Sequence, residues 1–136
     1  PLQFKELGFK QSVENLVGDF ERNSSIYYSH EIECNKSILS VEKEIILFGI
    51  IQECLNNVEK HSEADACQVK VIEKGRNLFI RIKDNGKGFD TNDTSKKFSL
   101  GLKTMKEKAG YLDATFEIKS RINEGTKVTL KAKTKH

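Results

Sequence analysis

The chain has 136 residues, of which 37% are hydrophobic and 32% charged, and this composition predicts one well-hydrated globular domain with a single core. Its net charge of +3 is small, and its acidic and basic residues are mixed along the sequence, which argues against nucleic-acid binding. No apolar run approaches the roughly 20 residues of a membrane-spanning helix and no secretory signal is present, so we expect a cytoplasmic domain without direct membrane contact.

The first residue, Pro1, indicates a piece of a longer protein, and a membrane-anchored parent is compatible with that. The three cysteines are odd in number and never form Cys-x-x-Cys, which indicates reduced thiols. The three histidines are scattered along the chain, which argues against a metal site built from histidine and cysteine.

Hydrophobic periodicity and turn residues predict three helices and five strands. Ser40 is a favourable N-cap for the second helix, and Gly110 is expected to end the third. The polar, lysine-bearing segment Thr91–Ser99 has no period and is expected to be a mobile loop. In chain order we expect a helix at 8–22, a half-buried strand at 25–33 that alternates through Ile26, Tyr28, His30 and Ile32, a helix at 41–61, strands at 66–73 and 78–83, a helix at 100–109, and strands at 114–120 and 126–132.

Helices and strands alternate irregularly in this order, with one hairpin in the middle and another at the end. This order predicts an α/β fold of the α+β two-layer sandwich type, with a mixed, largely antiparallel sheet and its helices packed on one face. A doubly wound parallel sheet is not expected. No repeat or linker interrupts the order, so residues 1–136 are expected to form one domain.

The stretch Asp84–Phe89, with sequence DNGKGF, directly follows the predicted strand at 78–83. A carboxylate at the end of a strand, followed by two glycines, can bind a flat heterocycle while the backbone passes close to it. Glycine allows this because it has no Cβ and permits positive φ. The same spacing also occurs in ordinary turns, so this motif indicates a binding site only in combination with the other motifs of the chain.

The predicted helix at 41–61 carries Glu53 and Asn57 four residues apart on one face, with Lys60 and His61 one turn further on the same side. An amide oxygen next to a carboxylate suits Mg²⁺, which prefers a few hard oxygen ligands. A lysine one turn away suits the phosphates that such an ion would carry. A solvated polar face is an equally good interpretation of this helix by itself.

Two further signals follow downstream. The helix at 100–109 opens with Gly101-Leu102-Lys103, so its first N–H groups can point at an anion. Gly125-Thr126 leads from a hairpin turn into the last strand. In isolation, a helix cap and a turn explain these residues better, but four such signals in one order make a stronger case than any single one.

In this order, the motifs resemble the N, G1 and G2 boxes and the final Gly-Thr of the GHKL (Bergerat-type) ATP-binding fold, which gyrase, MutL and sensor histidine kinases share. The resemblance covers essentially the whole chain and is greatest to sensor kinases that signal to NarL-like response regulators. Residues 52–61, QECLNNVEKH, are similar to the pattern Gln-Glu-Ala-Leu-x-Asn-x-x-Lys-His, and residues 101–108, GLKTMKEK, resemble Gly-Leu-x-x-Met-x-Glu-Arg.

The resemblance implies an ATP site with Mg²⁺. Asp84 would accept a hydrogen bond from the adenine amine, Gly86 and Gly88 would give close approach to the base, and Thr126 would help to hold the adenine through water. Glu53 occupies the position from which GHKL enzymes polarise a nucleophile. On the phosphate side, Asn57 would ligate Mg²⁺ and Lys60 would contact the phosphates near His61, while Gly101, Leu102 and Lys103 would begin the facing helix under a lid at about 91–100.

Two departures from the family pattern stand out. Ser99 occupies a position where the G2 box commonly has its first glycine, which leaves the phosphate contacts of the lid open. Asp113-Ala114 stands where Gly-Gly often precedes the penultimate strand, and this difference is expected to be structural.

The resemblance implies the catalytic domain of a two-component sensor histidine kinase, which holds Mg·ATP and offers its γ-phosphate to a histidine on a separate helical domain. The implied partners are ATP, that phosphoacceptor domain of the same kinase and a NarL-like response regulator. Because phosphoacceptor and sensor domains are absent from this chain, we expect ATP binding with very little autophosphorylation. Two alternatives stay open: a nucleotide-binding regulatory module without phosphotransfer, and a protein-serine kinase of the anti-sigma-factor type.

Overall fold

The computed structural model of the chain describes residues 2–93 and 99–134. Within them, five strands form one mixed sheet in the order β1-β2-β3-β5-β4. β1 and β2 are parallel, and every other neighbouring pair is antiparallel, which confirms the predicted mixed, largely antiparallel sheet. The strands are β1 (Tyr27–Glu33), β2 (Ala66–Lys74), β3 (Asn77–Asp84), β4 (Thr115–Arg121) and β5 (Gly125–Lys133).

The helices cover one face of this sheet. They are α1 (Leu2–Asn23), α2 (Val41–Asn57), a short π-helix (Val58–Ser62) and α3 (Ser99–Tyr111). Alternate residues of the central strands are buried against them, among them Val69, Leu78 and Ile82. The other alternate residues of these strands face away from the helices, so the fold is a two-layer sandwich with one open sheet face. Among the described residues, no helix is both long and apolar enough to span a bilayer.

α1 begins before the predicted boundary at residue 8 and is interrupted there. Gly8 has φ 81° and ψ 173°, so two helical segments meet at this residue. A Cβ at this position would lie 2.8 Å from Cγ of Lys36, and the next residue, Phe9, donates its N–H to the Lys36 carbonyl at 3.2 Å. Glycine therefore allows the chain to turn where α1 meets the segment leading into α2.

The start of α2 agrees with the predicted cap. The Ser40 hydroxyl accepts the N–H of Lys43 at 3.4 Å, as an N-cap serine does. Glu44, which is only 2% exposed, accepts the N–H groups of Ile38 and Leu39 at 2.7 and 3.1 Å. These bonds satisfy backbone donors that would otherwise be buried without a partner, and they fix where α2 begins.

The end of α2 differs from the prediction of one helix up to His61. The α-helix stops at Asn57 and continues as the π-helix, whose last residue, Ser62, donates its hydroxyl to the Val58 carbonyl at 2.6 Å. Glu63 then adopts φ 52° and ends the helical path. Single-turn π-helices occur often at functional sites, because they change the direction of the side chains that follow.

The prediction that Gly110 ends the third helix was wrong. α3 runs through Gly110 to Tyr111, and the left-handed residue is Asp113, with φ 52°. The N–H of Ala114 bonds to the Ala109 carbonyl at 2.9 Å and that of Asp113 to the Gly110 carbonyl at 3.0 Å, which is a Schellman motif. An aspartate thus occupies the position where such a motif usually has glycine.

The first strand is shorter than predicted. β1 begins at Tyr27 instead of residue 25, because the Ser24 hydroxyl accepts the N–H of Ile26 at 2.9 Å and forms a turn there. Tyr28 and Ile32 are buried as the alternation predicts, but His30 is exposed. β1 is an edge strand, so its side chains are covered less evenly than those of the central strands.

A buried tyrosine links β1 to the π-helix. Tyr28 is 2% exposed and donates its hydroxyl to Glu59, which also accepts the Ser24 hydroxyl at 2.7 Å. Burial first, and then the hydrogen bond to Glu59, raise the pKa of Tyr28, so its hydroxyl stays protonated and keeps donating. This bond anchors the segment that follows Asn57.

We expect Tyr28→Phe to lower the free energy of unfolding by about 1.5 kcal/mol, because a hydrogen bond to a carboxylate is lost in a buried place. Urea-induced unfolding followed by circular dichroism measures this change. Tyr111→Phe is the matched control, since Tyr111 is 64% exposed and the substitution should change stability by less than about 0.5 kcal/mol. Equal stability of the two variants would show that the Tyr28 hydroxyl contributes nothing.

Candidate functional site

A cavity of about 280 Å³ lies between the helices and the helix-facing side of the sheet. Its walls come from α2, the π-helix, α3, β3 and β5, and from the loop that follows β3. Apolar side chains form most of the surface, and a few polar groups converge on it, as in sites that bind small molecules. The described lining residues are Cys54, Asn57, Val58, His61, Ser62, Ile82, Asp84, Lys87, Gly88, Phe89, Leu102, Met105, Thr126 and Val128.

Asp84 is the buried carboxylate of this cavity. It is the last residue of β3, pairs with Thr126 of β5 and is only 5% exposed. Burial raises the pKa of Asp84, and the backbone N–H groups of Gly86 and Thr126 oppose this shift. The Gly86 N–H donates to Asp84 Oδ1 at 2.8 Å and thereby fixes the carboxylate. An acceptor held in a largely apolar wall selects a ligand with a matching donor.

The glycines around Asp84 are required by the protein's own backbone. A Cβ on Gly86 would lie 2.1 Å from the Ser62 carbonyl oxygen, and one on Gly88 would lie 2.0 Å from the Arg121 carbonyl oxygen. Gly88 also has φ 59°. A Cβ on Gly125, with φ 80°, would lie 2.1 Å from the Asp84 carbonyl oxygen. Close approach between chain segments therefore explains these glycines without reference to a ligand.

Hydrogen bonds join the loop after β3 to the last residue of the π-helix and to the segment that leads into β2. The N–H of Lys87 donates to the Ser62 carbonyl at 2.7 Å, and Asn85 Oδ1 accepts the N–H groups of Asp65 and Ala66 at 2.9 and 3.0 Å. An exposed ion pair of 2.8 Å between Lys87 and Glu63 lies beside them. The loop that begins at Asp84 is therefore bonded to the segment that directly follows the motif containing Asn57.

A hydroxyl network supports the opposite wall. The Thr126 hydroxyl lies 2.8 Å from the Ser120 hydroxyl, which accepts the N–H of Phe89 at 2.9 Å and donates to the Gly125 carbonyl at 3.1 Å. These bonds connect β4, β5 and the loop after β3. Thr126 lines the cavity from a position that is fixed by its neighbours.

The structure brings six of the predicted site residues to the cavity wall: Asn57, His61, Asp84, Gly88, Leu102 and Thr126. Five others lie outside the described wall. The side chains of Lys60 and Lys103 are exposed, and Gly86 lies in the turn behind Asp84. Glu53 lies next to α3, since a Cβ on Gly101 would be 3.2 Å from Glu53 Oε1.

Sequence reasoning missed the apolar part of the wall. Cys54 lies one helical turn before Asn57, and Met105 lies one turn after Leu102, so helical periodicity could have found both. Their sulfur atoms are 3.5 Å apart and connect α2 to α3. Burial raises the pKa of Cys54 to about 12, so this thiol lines the cavity as a neutral apolar group and not as a nucleophile.

Residues 42–136 match the model of the family described as histidine kinase-, DNA gyrase B- and HSP90-like ATPases. This match covers more than half of the chain. The chain belongs to this family of ATPase domains. Asp84 and Asn57 therefore line one cavity in a domain of this ATPase family.

Known proteins of this family resemble the chain over nearly all of its length. The sensor protein VraS of Staphylococcus aureus (strain COL) is 35% identical over 132 residues, which are 97% of this chain and 37% of VraS. VraS of Staphylococcus saprophyticus is 33% identical over the same share. The chain thus spans little more than a third of the length of these relatives.

Solved structures share the fold at low sequence identity. The histidine kinase domain of the Erythrobacter litoralis EL346 blue-light activated histidine kinase superposes with a TM-score of 0.77 at 16% identity, over 92% of this chain and 64% of that one. The ATP binding domain of PrrB from Mycobacterium tuberculosis gives 0.71 at 15% identity, over 95% and 96% of the two chains. These likenesses establish the fold of the ATPase-family domain.

Proposed function

We propose that this chain is the ATP-binding catalytic domain of a sensor histidine kinase, which binds Mg·ATP and offers its γ-phosphate to a histidine on a separate helical domain. One observation carries the proposal: Asp84 from the sheet and Asn57 from the helix layer line the same cavity. These residues are far apart in the chain, and family membership supports a nucleotide as their common ligand.

The base end of the cavity fits an adenine. Asp84 provides a fixed acceptor for the exocyclic amine, and Ile82, Val128 and Met105 provide apolar surface for the faces of a flat ring. Thr126 pairs with Asp84 across β3 and β5 and lines the same cavity, so its hydroxyl would support the same ligand through a water molecule. In this assignment, Asp84 selects the base and the apolar residues contribute most of the buried area.

The other end of the cavity fits the phosphates. Asn57 presents an amide group whose oxygen is a hard ligand suited to Mg²⁺, and His61 lies one turn further along the same wall. The metal, when bound, neutralises charge on the phosphates. Lys60 and Lys103, whose side chains are exposed, would have to turn toward the cavity mouth to contact them. Glu53 remains a predicted catalytic residue whose side chain lies beside Gly101.

Phosphoryl transfer depends mainly on positioning and charge neutralisation, so a domain that orients ATP supplies much of the catalysis. Asp84 would fix the adenine, and Asn57 would fix the metal-bearing phosphates, so the γ-phosphate would point out of the cavity. The predicted lid at 91–100 would cover the phosphates; residues 94–98 of this segment lie outside the described part of the chain. The lid therefore stays a prediction.

The finer assignment, to kinases that signal to NarL-like response regulators, rests on two motifs. Residues 52–61 and 101–108 resemble the sequence patterns of that subgroup. Leu102 and Met105 of the second motif line the cavity. The proposed partners are the phosphoacceptor domain of the same kinase and a response regulator of that type. We propose that the domain works in the cytoplasm.

This chain offers no well-placed phosphoacceptor among its described histidines. His30 is exposed on the edge strand β1, away from the cavity, and His61 is part of the cavity wall. His136 lies outside the described residues. We therefore expect the isolated domain to bind ATP and to label itself very little.

We expect Asn57→Ala to weaken ATP binding only when magnesium is present, because the amide would act through the metal. A loss of roughly 10-fold is reasonable for one ligand contact. Calorimetric titration with ATP, in magnesium and in EDTA, measures both values. Asn15→Ala, an exposed position on α1, is the control. An equal loss in both buffers would argue that Asn57 supports the fold and not the metal.

Phosphotransfer is tested by mixing the domain with a purified phosphoacceptor domain of its parent protein and γ-labelled ATP. A kinase gives an acid-labile label on the acceptor, and the Asp84→Asn variant gives much less. Intact ATP binding without label would indicate the regulatory module instead. An acid-stable label would indicate a protein-serine kinase.

A further inference from the structure

The open face of the sheet carries basic side chains on its central strands, although acidic and basic residues are mixed along the sequence. On β2, β3 and β5, the residues that point away from the helices include no acidic side chain. We call the outward side of these three strands the basic face. Its charged residues are Lys70, Lys74, Arg81, Lys83, Lys127, Lys131 and Lys133.

The charge of these seven cations, +7, exceeds the net charge of the whole chain, which is +3. Since the total is +3, the remaining residues carry a net charge of 3 − 7 = −4. Acidic side chains on the outward side of the sheet lie on the edge strands: Glu31 and Glu33 on β1, which pair with Lys70 and Ile72, and Glu117 on β4, which pairs with Thr129. The mixed charges along the sequence therefore become a basic face on an otherwise acidic domain.

Strand register brings like charges together on the basic face. Lys83 pairs directly with Lys127 across β3 and β5, and Lys127 pairs with Lys119 across β5 and β4. Like charges in direct cross-strand positions destabilise a sheet. Among the described residues, Lys70 is the only cation of the basic face with an ion pair, to Glu31 at 3.9 Å. An external anionic surface would relieve this repulsion.

Two apolar side chains, those of Ile72 and Phe79, lie at the centre of the basic face. Ile72, Phe79 and Lys131 are neighbours across three strands, and the Phe79 ring is 41% exposed. The ammonium group of Lys131 lies 5.6 Å from the centroid of this ring. An aromatic side chain surrounded by long lysine side chains is suited to the headgroup region of a bilayer, where both its apolar body and the charges find partners.

We propose that the basic face rests on an anionic lipid bilayer and binds its phosphate headgroups, in contrast to the expectation from the sequence. The cations are spread over three strands, and most have no fixed ion-pair partner. Lys70, Arg81 and Lys131 line a hollow around Phe79, and the other four cations lie outside it. Such an array matches mobile lipid headgroups better than the fixed carboxylates of a protein partner. The nucleotide cavity lies on the helix side of the sheet, so a bilayer at the basic face leaves it open.

Co-sedimentation with vesicles of phosphatidylcholine, with and without phosphatidylglycerol, tests this proposal. The chain should bind only the vesicles that contain phosphatidylglycerol, and high salt should release it. Each lysine near an anionic surface contributes about fivefold, so Lys83→Gln, Lys127→Gln and Lys131→Gln together should weaken binding roughly a hundredfold. Lys5→Gln, Lys43→Gln and Lys108→Gln, which remove the same charge from the helix layer, should bind like the parent.

Thermal unfolding and ATP titration of both triple variants establish that they are folded, and they keep this test independent of the nucleotide site. Lys83→Gln by itself, with an expected loss of about fivefold, is the milder second variant. Equal binding of parent and basic-face variants, or no binding to anionic vesicles, overturns the proposal. Tighter binding of a polyglutamate peptide than of the vesicles also overturns it, and assigns the face to an acidic protein.

Discussion

Asp84→Asn should weaken ATP binding by roughly 10- to 100-fold, the cost of losing a hydrogen bond to a charged acceptor. The carboxylate is 5% exposed and is held by the Gly86 N–H at 2.8 Å. An asparagine there can present an NH₂ group to the adenine amine, which places one donor against another. Calorimetric titration of parent and variant with ATP, in the same magnesium buffer, measures the loss.

The fold of this variant should be kept. Burial raises the pKa of Asp84, which means that the ionised carboxylate is unfavourable where it lies, so a neutral amide removes a desolvation cost while it also alters the bonds to backbone N–H groups. Asp65→Asn, on the exposed segment before β2, is the matched control and should bind ATP like the parent. If both variants bind ATP equally well, Asp84 does not contact the base.

Gly86→Ala should destabilise the domain by about 1–3 kcal/mol and also impair ATP binding. The added Cβ would lie 2.1 Å from the Ser62 carbonyl oxygen, so the loop after β3 and the π-helix must move apart. This movement breaks the 2.7 Å hydrogen bond from Lys87 to Ser62 and shifts Asp84 relative to Asn57. Urea unfolding and ATP titration give the two effects.

Gly49→Ala is the control for this substitution. Gly49 lies inside α2, and a Cβ there has no neighbour within 4 Å, so alanine should stabilise the domain by about 0.5–1 kcal/mol. A Gly86→Ala variant as stable as the parent would mean that the two segments do not approach as closely as described.

The fold was predictable because its sequence patterns are local. The strict alternation of β3, with Leu78, Ile80 and Ile82 buried and Phe79 exposed, is visible in the sequence, and so are the Ser40 cap and the turn residues between strands. The order of elements then permits few topologies. The positions of Asp84 and Asn57 in one cavity follow from the family pattern, because spacing alone does not bring distant segments together.

The features that escaped prediction depend on tertiary contacts. The π-helix after Asn57 ends at Ser62, which is bonded to the loop after β3, and Asp113 occupies the usual glycine position of a Schellman motif although the sequence predicts a helix end at Gly110. Glycine is required at position 86 because the carbonyl of Ser62, 24 positions earlier in the sequence, leaves no room for a Cβ. The basic face depends on which residues of each strand point outward, so a net charge cannot reveal it.

Calorimetric titration of the domain with ATP and, separately, GTP in magnesium buffer tests the shared nucleotide cavity most directly. GTP has a carbonyl oxygen in place of the adenine amine, and this oxygen would face the Asp84 carboxylate. The account predicts saturable binding of one ATP per domain and binding of GTP that is roughly 10- to 100-fold weaker. Equal binding of the two nucleotides, or no saturable binding of ATP, would contradict it.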